Sequence, residues 1–100
     1  MDMKNMMKQA RKMQADLEKA QQEVALLTVE ASAGGGVVKV VASGDQRIQS
    51  VSIDPSVVDP EDVEMLEDLV LAAANDALTQ AAELANVRMS AVTGGLNLPF

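Results

Sequence analysis

The chain opens on a repeat of apolar positions. Met3, Met6, Ala10, Met13, Leu17, Ala20, Val24 and Leu27 follow one another at spacings of three and four. That is the period of one face of an α-helix, and it forms an unbroken heptad seam. No Pro or Gly interrupts residues 2–26, and most of them are good helix formers. The pattern predicts a helix from about Asp2 to Leu26, roughly 36 Å long at about 1.5 Å per residue. A rod of that length outreaches a small sheet, so part of its seam is expected to need a partner subunit.

The period then changes. Thr28–Ala33 alternates, with Val29, Ala31 and Ala33 on one side, and Val37–Ala42 is rich in β-branched residues. Gly34-Gly35-Gly36 between them permits a tight reversal, because glycine accepts positive φ. The same glycines suggest a phosphate nest only superficially, since no Gly-Lys-Ser/Thr follows. Ser43-Gly44-Asp45 makes a second turn into a third strand, Arg47–Ile53. Its apolar residues, Ile48, Val51 and Ile53, break strict alternation, which predicts a bulge. Turns this short between consecutive strands imply an antiparallel meander.

Asp54-Pro55 ends the sheet. Asp59-Pro60-Glu61-Asp62 reads as a helix start, with an Asp cap, Pro at the first helical position and acids in the first turn. Val63, Leu66, Val70, Ala73, Ala77, Ala81 and Leu84 then share a broad face, whose alanines allow close approach to the sheet. Glu61, Glu64, Asp68, Asp76 and Glu83 lie opposite. Gly94-Gly95 suits a C-terminal cap, and the tail from Leu96 to Phe100 is expected to be loose. With no internal repeat, residues 1–100 are read as one α+β domain: an α-β-β-β-α subunit with a three-stranded antiparallel sheet between long N- and C-terminal helices.

Composition narrows the chemistry. The chain of 100 residues contains no Cys, His, Trp or Tyr, and one Phe. That excludes thiolate chemistry and removes the commonest general base and transition-metal ligand. Ser50, Ser52 and Thr79 have no histidine to activate them, so no enzyme and no cofactor is expected. The acidic helix suggests no metal cage, because spacing on a rigid helix does not close one. A core of Val, Leu, Ile, Met and Ala is thin for a monomer, which favours burial between subunits. No apolar run is long enough to span a bilayer, and Lys4, Lys8, Arg11 and Lys12 interrupt the Met-rich start. A cytoplasmic protein is expected.

The net charge of −7 argues against nucleic acid until it is resolved by position. Between Met3 and Ala15 every charge is positive, and between Ile48 and Val87 every charge is negative. On a helical wheel Lys4, Lys8, Arg11, Lys12 and Lys19 fall within an arc of roughly 100°, on the far side of the cylinder from the seam. A lysine-rich face serves solubility in many helices, but such faces usually mix signs to gain pairs three or four residues apart. A one-signed stripe suits a phosphate backbone. Without aromatic platforms for single strands or splayed RNA bases, duplex DNA is the better candidate. Asn5, Gln9 and Gln14 reach base edges in principle but read far more readily as ordinary surface amides, so weak sequence preference is expected. The alternative is a protein-interaction adaptor, its basic helix docking an acidic partner or its Met-rich seam a partner helix.

Several segments together resemble the YbaB/EbfC family of nucleoid-associated proteins. They are Met6-Met7-Lys8-Gln9-Ala10 and Met13-Gln14, Gly35-Gly36-Val37-Val38-Lys39-Val40, Ile53-Asp54-Pro55, Leu66-Glu67-Asp68-Leu69-Val70, Ala73-Ala74-Asn75-Asp76-Ala77, and Gly94-Gly95-Leu96-Asn97-Leu98-Pro99. The resemblance implies a homodimer joined through its sheet region, with helices projecting like tweezer arms. It also implies nucleoid-associated DNA binding with roles in nucleoid organisation and gene regulation. The family's basic helix positions correspond to Lys4, Lys8, Arg11 and Lys12, with Arg88 as a further candidate on the late helix, where it is the only basic residue. The chain departs from the family pattern in starting almost directly at the helix, without a longer Gly-rich leader.

Overall fold

In a computed structural model, which describes residues 2–93, Asp2 caps the first helix by accepting from the Lys4 backbone N–H at 3.0 Å. Helix α1 runs Met3–Leu26, as its apolar period predicts. Strands β1 (Thr28–Ala33), β2 (Val38–Ser43) and β3 (Ile48–Ile53) form one antiparallel sheet in the order β1-β2-β3. Gly34, Gly35 and Gly36 all take positive φ, which is why the first hairpin needs three glycines. The predicted bulge lies on β3. Val41 pairs with Ser50 and Ala42 with Ile48, so Gln49 is the extra residue. It returns Ile48 to the face that carries Val51 and Ile53, opposite Ala42, Val40 and Val38.

In the second turn the left-handed residue is Gln46, with φ of 64°, not Gly44. Gly44 is required for a different reason. A Cβ there would collide with the Val24 backbone carbonyl and stand 2.6 Å from Val24 Cγ1. The Gly44 N–H also donates to the Leu27 carbonyl at 3.0 Å. The β2–β3 turn is thus fitted against the end of α1. Gly44→Ala should lower stability by about 1–3 kcal/mol, the usual cost of overpacking. A urea midpoint unchanged from the parent would show that turn and helix separate freely.

Asp54 accepts from the Ser56 backbone N–H at 2.9 Å, opening a 3-10 turn over Pro55–Val57 that the sequence did not signal. That backbone N–H, with the Ser56 hydroxyl second, holds the Asp54 carboxyl below the usual carboxylate range. Helix α2 spans Val63–Thr93, about 46 Å. It starts later than Asp59-Pro60 implied. Asp59 accepts from the Glu61 N–H at 2.9 Å and, through its carbonyl, from the Asp62 N–H at 3.0 Å. Its capping capacity is therefore spent on a local turn. Asp62 takes the capping role instead, accepting from the Met65 N–H at 3.3 Å. The Gly94-Gly95 cap and the Leu96–Phe100 tail lie outside the described residues.

The core is small and made of small side chains. Ala73, Ala77 and Ala81 of α2 meet Ala31, Val38, Val40 and Ala42 of the sheet, and most of these have no exposed surface. Val63, expected on this face, is half-exposed because the helix first engages the core at Leu66 and Leu69. Leu69 stands beside Gly34, so α2 enters at the β1–β2 hairpin. It leaves past the β2–β3 turn, where Ala82, Ala85 and Asn86 border Gly44, Asp45 and Gln46. Beyond the sheet, Arg88, Ala91 and Val92 share a cleft with Ala20, Val24 and Leu27 of α1. The two helices therefore run antiparallel, and the molecule extends to 71 × 23 × 16 Å.

Candidate nucleic-acid interface

The seam of α1 divides at its middle. Leu17, Ala20, Val24 and Leu27 are wholly or partly covered, while every residue from Asp2 to Asp16 is exposed. Among the described residues the first half of α1 is thus an arm about 20 Å long that stands clear of the chain's body. Asp2 fixes its start by capping, and the absence of any breaker keeps it helical.

Lys4, Lys8, Arg11 and Lys12 all lie on this arm and all are exposed. Among the described residues none of them is held in an ion pair. Lys4 to Lys12 span about 12 Å along the axis, a rise of three to four phosphate steps on one DNA strand at about 3.4 Å each. With a side-chain-inclusive diameter of about 10–12 Å, such an arm also matches the width of a B-form major groove, about 12 Å. The cations are held in register by the helix alone, so the array is already ordered before any ligand arrives.

Lys19 is exposed too, but it belongs to a different environment. It sits on the covered half of α1 in a stretch that also carries Asp16, Glu18 and Glu23. Their field dilutes its charge, so the stripe is strongest from Lys4 to Lys12. Arg88 is exposed on α2 and lines the α1–α2 cleft together with Glu23. The structure therefore brings four of the six candidates onto one free arm and leaves Lys19 and Arg88 at its root. Lys39 and Arg47, the two cations not singled out from the sequence, sit alone on β2 and just ahead of β3. Each is isolated in the pattern, so no spacing signal marks either.

Charge is sorted along the long axis. The α2 entrance at the β1–β2 hairpin carries Asp59, Glu61, Asp62, Glu64, Glu67 and Asp68, all exposed. The arm's cations lie at the far end, beyond the sheet. Among the described residues no cluster of three or more acids is placed to hold a metal ion, and no helix is long and apolar enough to cross a membrane.

A Ruminiclostridium cellulolyticum protein named nucleoid-associated protein is 57% identical over 95 residues, covering 95% of this chain and 83% of the relative. A protein of the same name from Desulforamulus reducens is 57% identical over 98 residues, covering 98% and 93%. The crystal structure of an uncharacterized Helicobacter pylori protein superposes with a TM-score of 0.81, covering 94% of this chain and 99% of that one. At 21% identity it speaks to the fold alone. The model of the YbaB/EbfC DNA-binding family matches residues 1–96. The chain belongs to the YbaB/EbfC DNA-binding family.

Proposed function

We propose that this protein binds double-stranded DNA in the nucleoid, as a homodimer, through the basic faces of its two α1 arms. It acts on DNA conformation, and through it on nucleoid organisation and gene expression, and it catalyses no reaction. The observation that carries the reading is the free half of α1, where four cations of one sign stand exposed and unpaired among the described residues. The relatives named as nucleoid-associated proteins support DNA as the ligand.

Two features explain how a chain of net charge −7 approaches a polyanion. The acids are concentrated at the α2 entrance and the cations on the arm, so the phosphate field turns the molecule arm-first. The low sequence preference follows from chemistry. Three of the four arm cations are lysines, which bind phosphate as point charges, and only Arg11 carries a fork suited to guanine.

The dimer is assigned to β3. This edge strand is exposed along its whole length. Ile48, Val51 and Ile53 face the α2 side of the sheet, yet α2 lies over β1 and β2 and leaves them open. Gln46, just ahead of β3, lines a groove with Asn75 and Leu78, so that flank of α2 overlooks β3. Leu71, two turns earlier on the same flank, is 61% exposed. A second copy placed by a two-fold axis covers both surfaces and pairs the free strand edge.

The test is a salt titration against a random-sequence duplex. With about four to six phosphates neutralised per dimer, log K should fall against log[salt] with a slope near −4 to −5. No binding at low salt would instead favour an adaptor, whose uncovered methionine seam takes a protein partner.

A further inference from the structure

The arm carries one large apolar residue that its heptad seam does not use. Met7 lies about a quarter turn from the centre line of Met3, Met6, Ala10 and Met13, at about 100° per residue, and it is 52% exposed. Arg11 follows four residues later and Gln14 three after that, so on helix α1 the three side chains form one ridge along the edge of the cation stripe. We propose that this ridge reads base edges in the major groove, a step that rests on the DNA reading above. Arg11 takes a guanine, Met7 a thymine methyl and Gln14 an adenine, which gives the protein a modest preference for a guanine flanked by A·T pairs.

Direction argues first. Lys4, Lys8 and Lys12 follow one another at a spacing of four and make the row beside the ridge. Lys8 stands about a quarter turn from the ridge's mean direction. With that row on the phosphates of one strand, the ridge turns toward the neighbouring base edges. Asp16 lies nearly opposite the ridge, so this pose leaves its carboxylate in solvent. Asn5 and Gln9 share the side of Asp16, and of the arm's exposed amides Gln14 is the one on the ridge.

Spacing and chemistry argue next. Met7 to Gln14 spans about 10 Å along the axis, or about three base-pair steps at about 3.4 Å each. The Arg11 fork can donate to both O6 and N7 of guanine, and the Gln14 amide can donate to N7 of adenine while accepting from its amino group. The Met7 thioether chain gains by covering a methyl and adapts to its position. All three side chains are exposed, and none is hydrogen-bonded to another described residue. Glu18, the next position on the ridge, is an acid at the arm's root, so the reader is confined to residues 7–14.

Selection from a random duplex pool, at a salt concentration where the parent binds the pool, should enrich a guanine flanked by A·T pairs. The enriched duplex should bind roughly tenfold tighter than a shuffled one of the same composition. Arg11→Ala and Lys8→Ala each remove one exposed charge from the arm and form a matched pair. Both should weaken binding to each duplex, but only Arg11→Ala should bring the ratio of the two affinities to about one. Met7→Ser, which alters no charge, should lower that ratio about threefold. Replacing the enriched guanine by 7-deazaguanine, which lacks the N7 acceptor, should weaken the parent severalfold and the Arg11→Ala protein not at all. Equal ratios for Arg11→Ala and Lys8→Ala would overturn the assignment, as would a parent that binds the pool but enriches nothing. The DNA reading survives either of those results, whereas a parent that binds no duplex at low salt removes both.

Discussion

Reversing three charges on the arm, Lys8→Glu with Arg11→Glu and Lys12→Glu, should abolish duplex binding at about 0.1 M salt and leave the dimer intact. Each neutralised phosphate contributes about 0.9 decade to K per decade of salt, so three contacts on one arm are worth nearly three orders of magnitude at that salt. Two arms double the loss, and the new carboxylates add repulsion. The change should not unfold the protein, because all three side chains are exposed and none holds an ion pair among the described residues. Glutamate is a good helix former, so the arm should persist. Circular dichroism and sedimentation supply the controls. Lys39→Glu with Arg47→Glu, which removes two cations from the sheet and spares the arm, should shift affinity far less. Parental binding by a folded triple variant would remove the stripe from the interface.

The arm's chemistry was legible in the sequence because helical period turns spacing directly into direction. Lys4, Lys8, Arg11 and Lys12 had to share a face, and that face had to oppose the methionines. The sheet was legible for a similar reason: three glycines, a broken alternation at Ile48 and two short turns left one plausible meander. The start of α2 was not. Asp59 and Asp62 both present a carboxylate ahead of a helical pattern, and the choice between them depends on the turn that Asp59 closes with Glu61 and Asp62. Nor does the pattern say how the seam divides. Met13 and Val24 look alike in a heptad, yet α2 reaches only Val24. Lys19 and Arg88 share the sign of the other candidates but not their setting, because acids on neighbouring turns are invisible to a count of cations.

Position also resolves the apparent conflict between an acidic protein and an acidic ligand. A uniform charge of −7 would repel DNA from every orientation. Here six of the fifteen acids gather where α2 begins, a sheet's length from the arm, while the arm itself sets four cations against the carboxylates of Asp2 and Asp16 at its two ends. At physiological ionic strength the Debye length is about 8 Å, so DNA held on the arm, as proposed, would be largely screened from acids near the other end of a 71 Å molecule. The same separation discourages the wrong encounter, in which α2 would approach the phosphates first.

Val51→Asp should convert the protein to monomers and, by doing so, weaken DNA binding more than any single change on the arm. Val51 is 47% exposed in the isolated chain and stands mid-strand on β3, between Ile48 and Ile53 on the same face. Within the subunit it stands opposite Val40 of the core. At a two-fold interface it is buried twice, once from each protomer. Placing an unpartnered carboxylate there costs at least about 2 kcal/mol per copy, hence about 4 kcal/mol per dimer, or a thousandfold in the dimer dissociation constant. DNA affinity then falls because two arms no longer act as one ligand. The second arm loses the high effective concentration that the first confers, and the salt slope should drop to about half the parental value. That halving distinguishes this variant from the arm variant, in which the contacts themselves are gone. Sedimentation at micromolar concentration reads the first effect and a salt titration the second. A Val51→Asp protein that remains dimeric with a parental slope would move the interface away from β3.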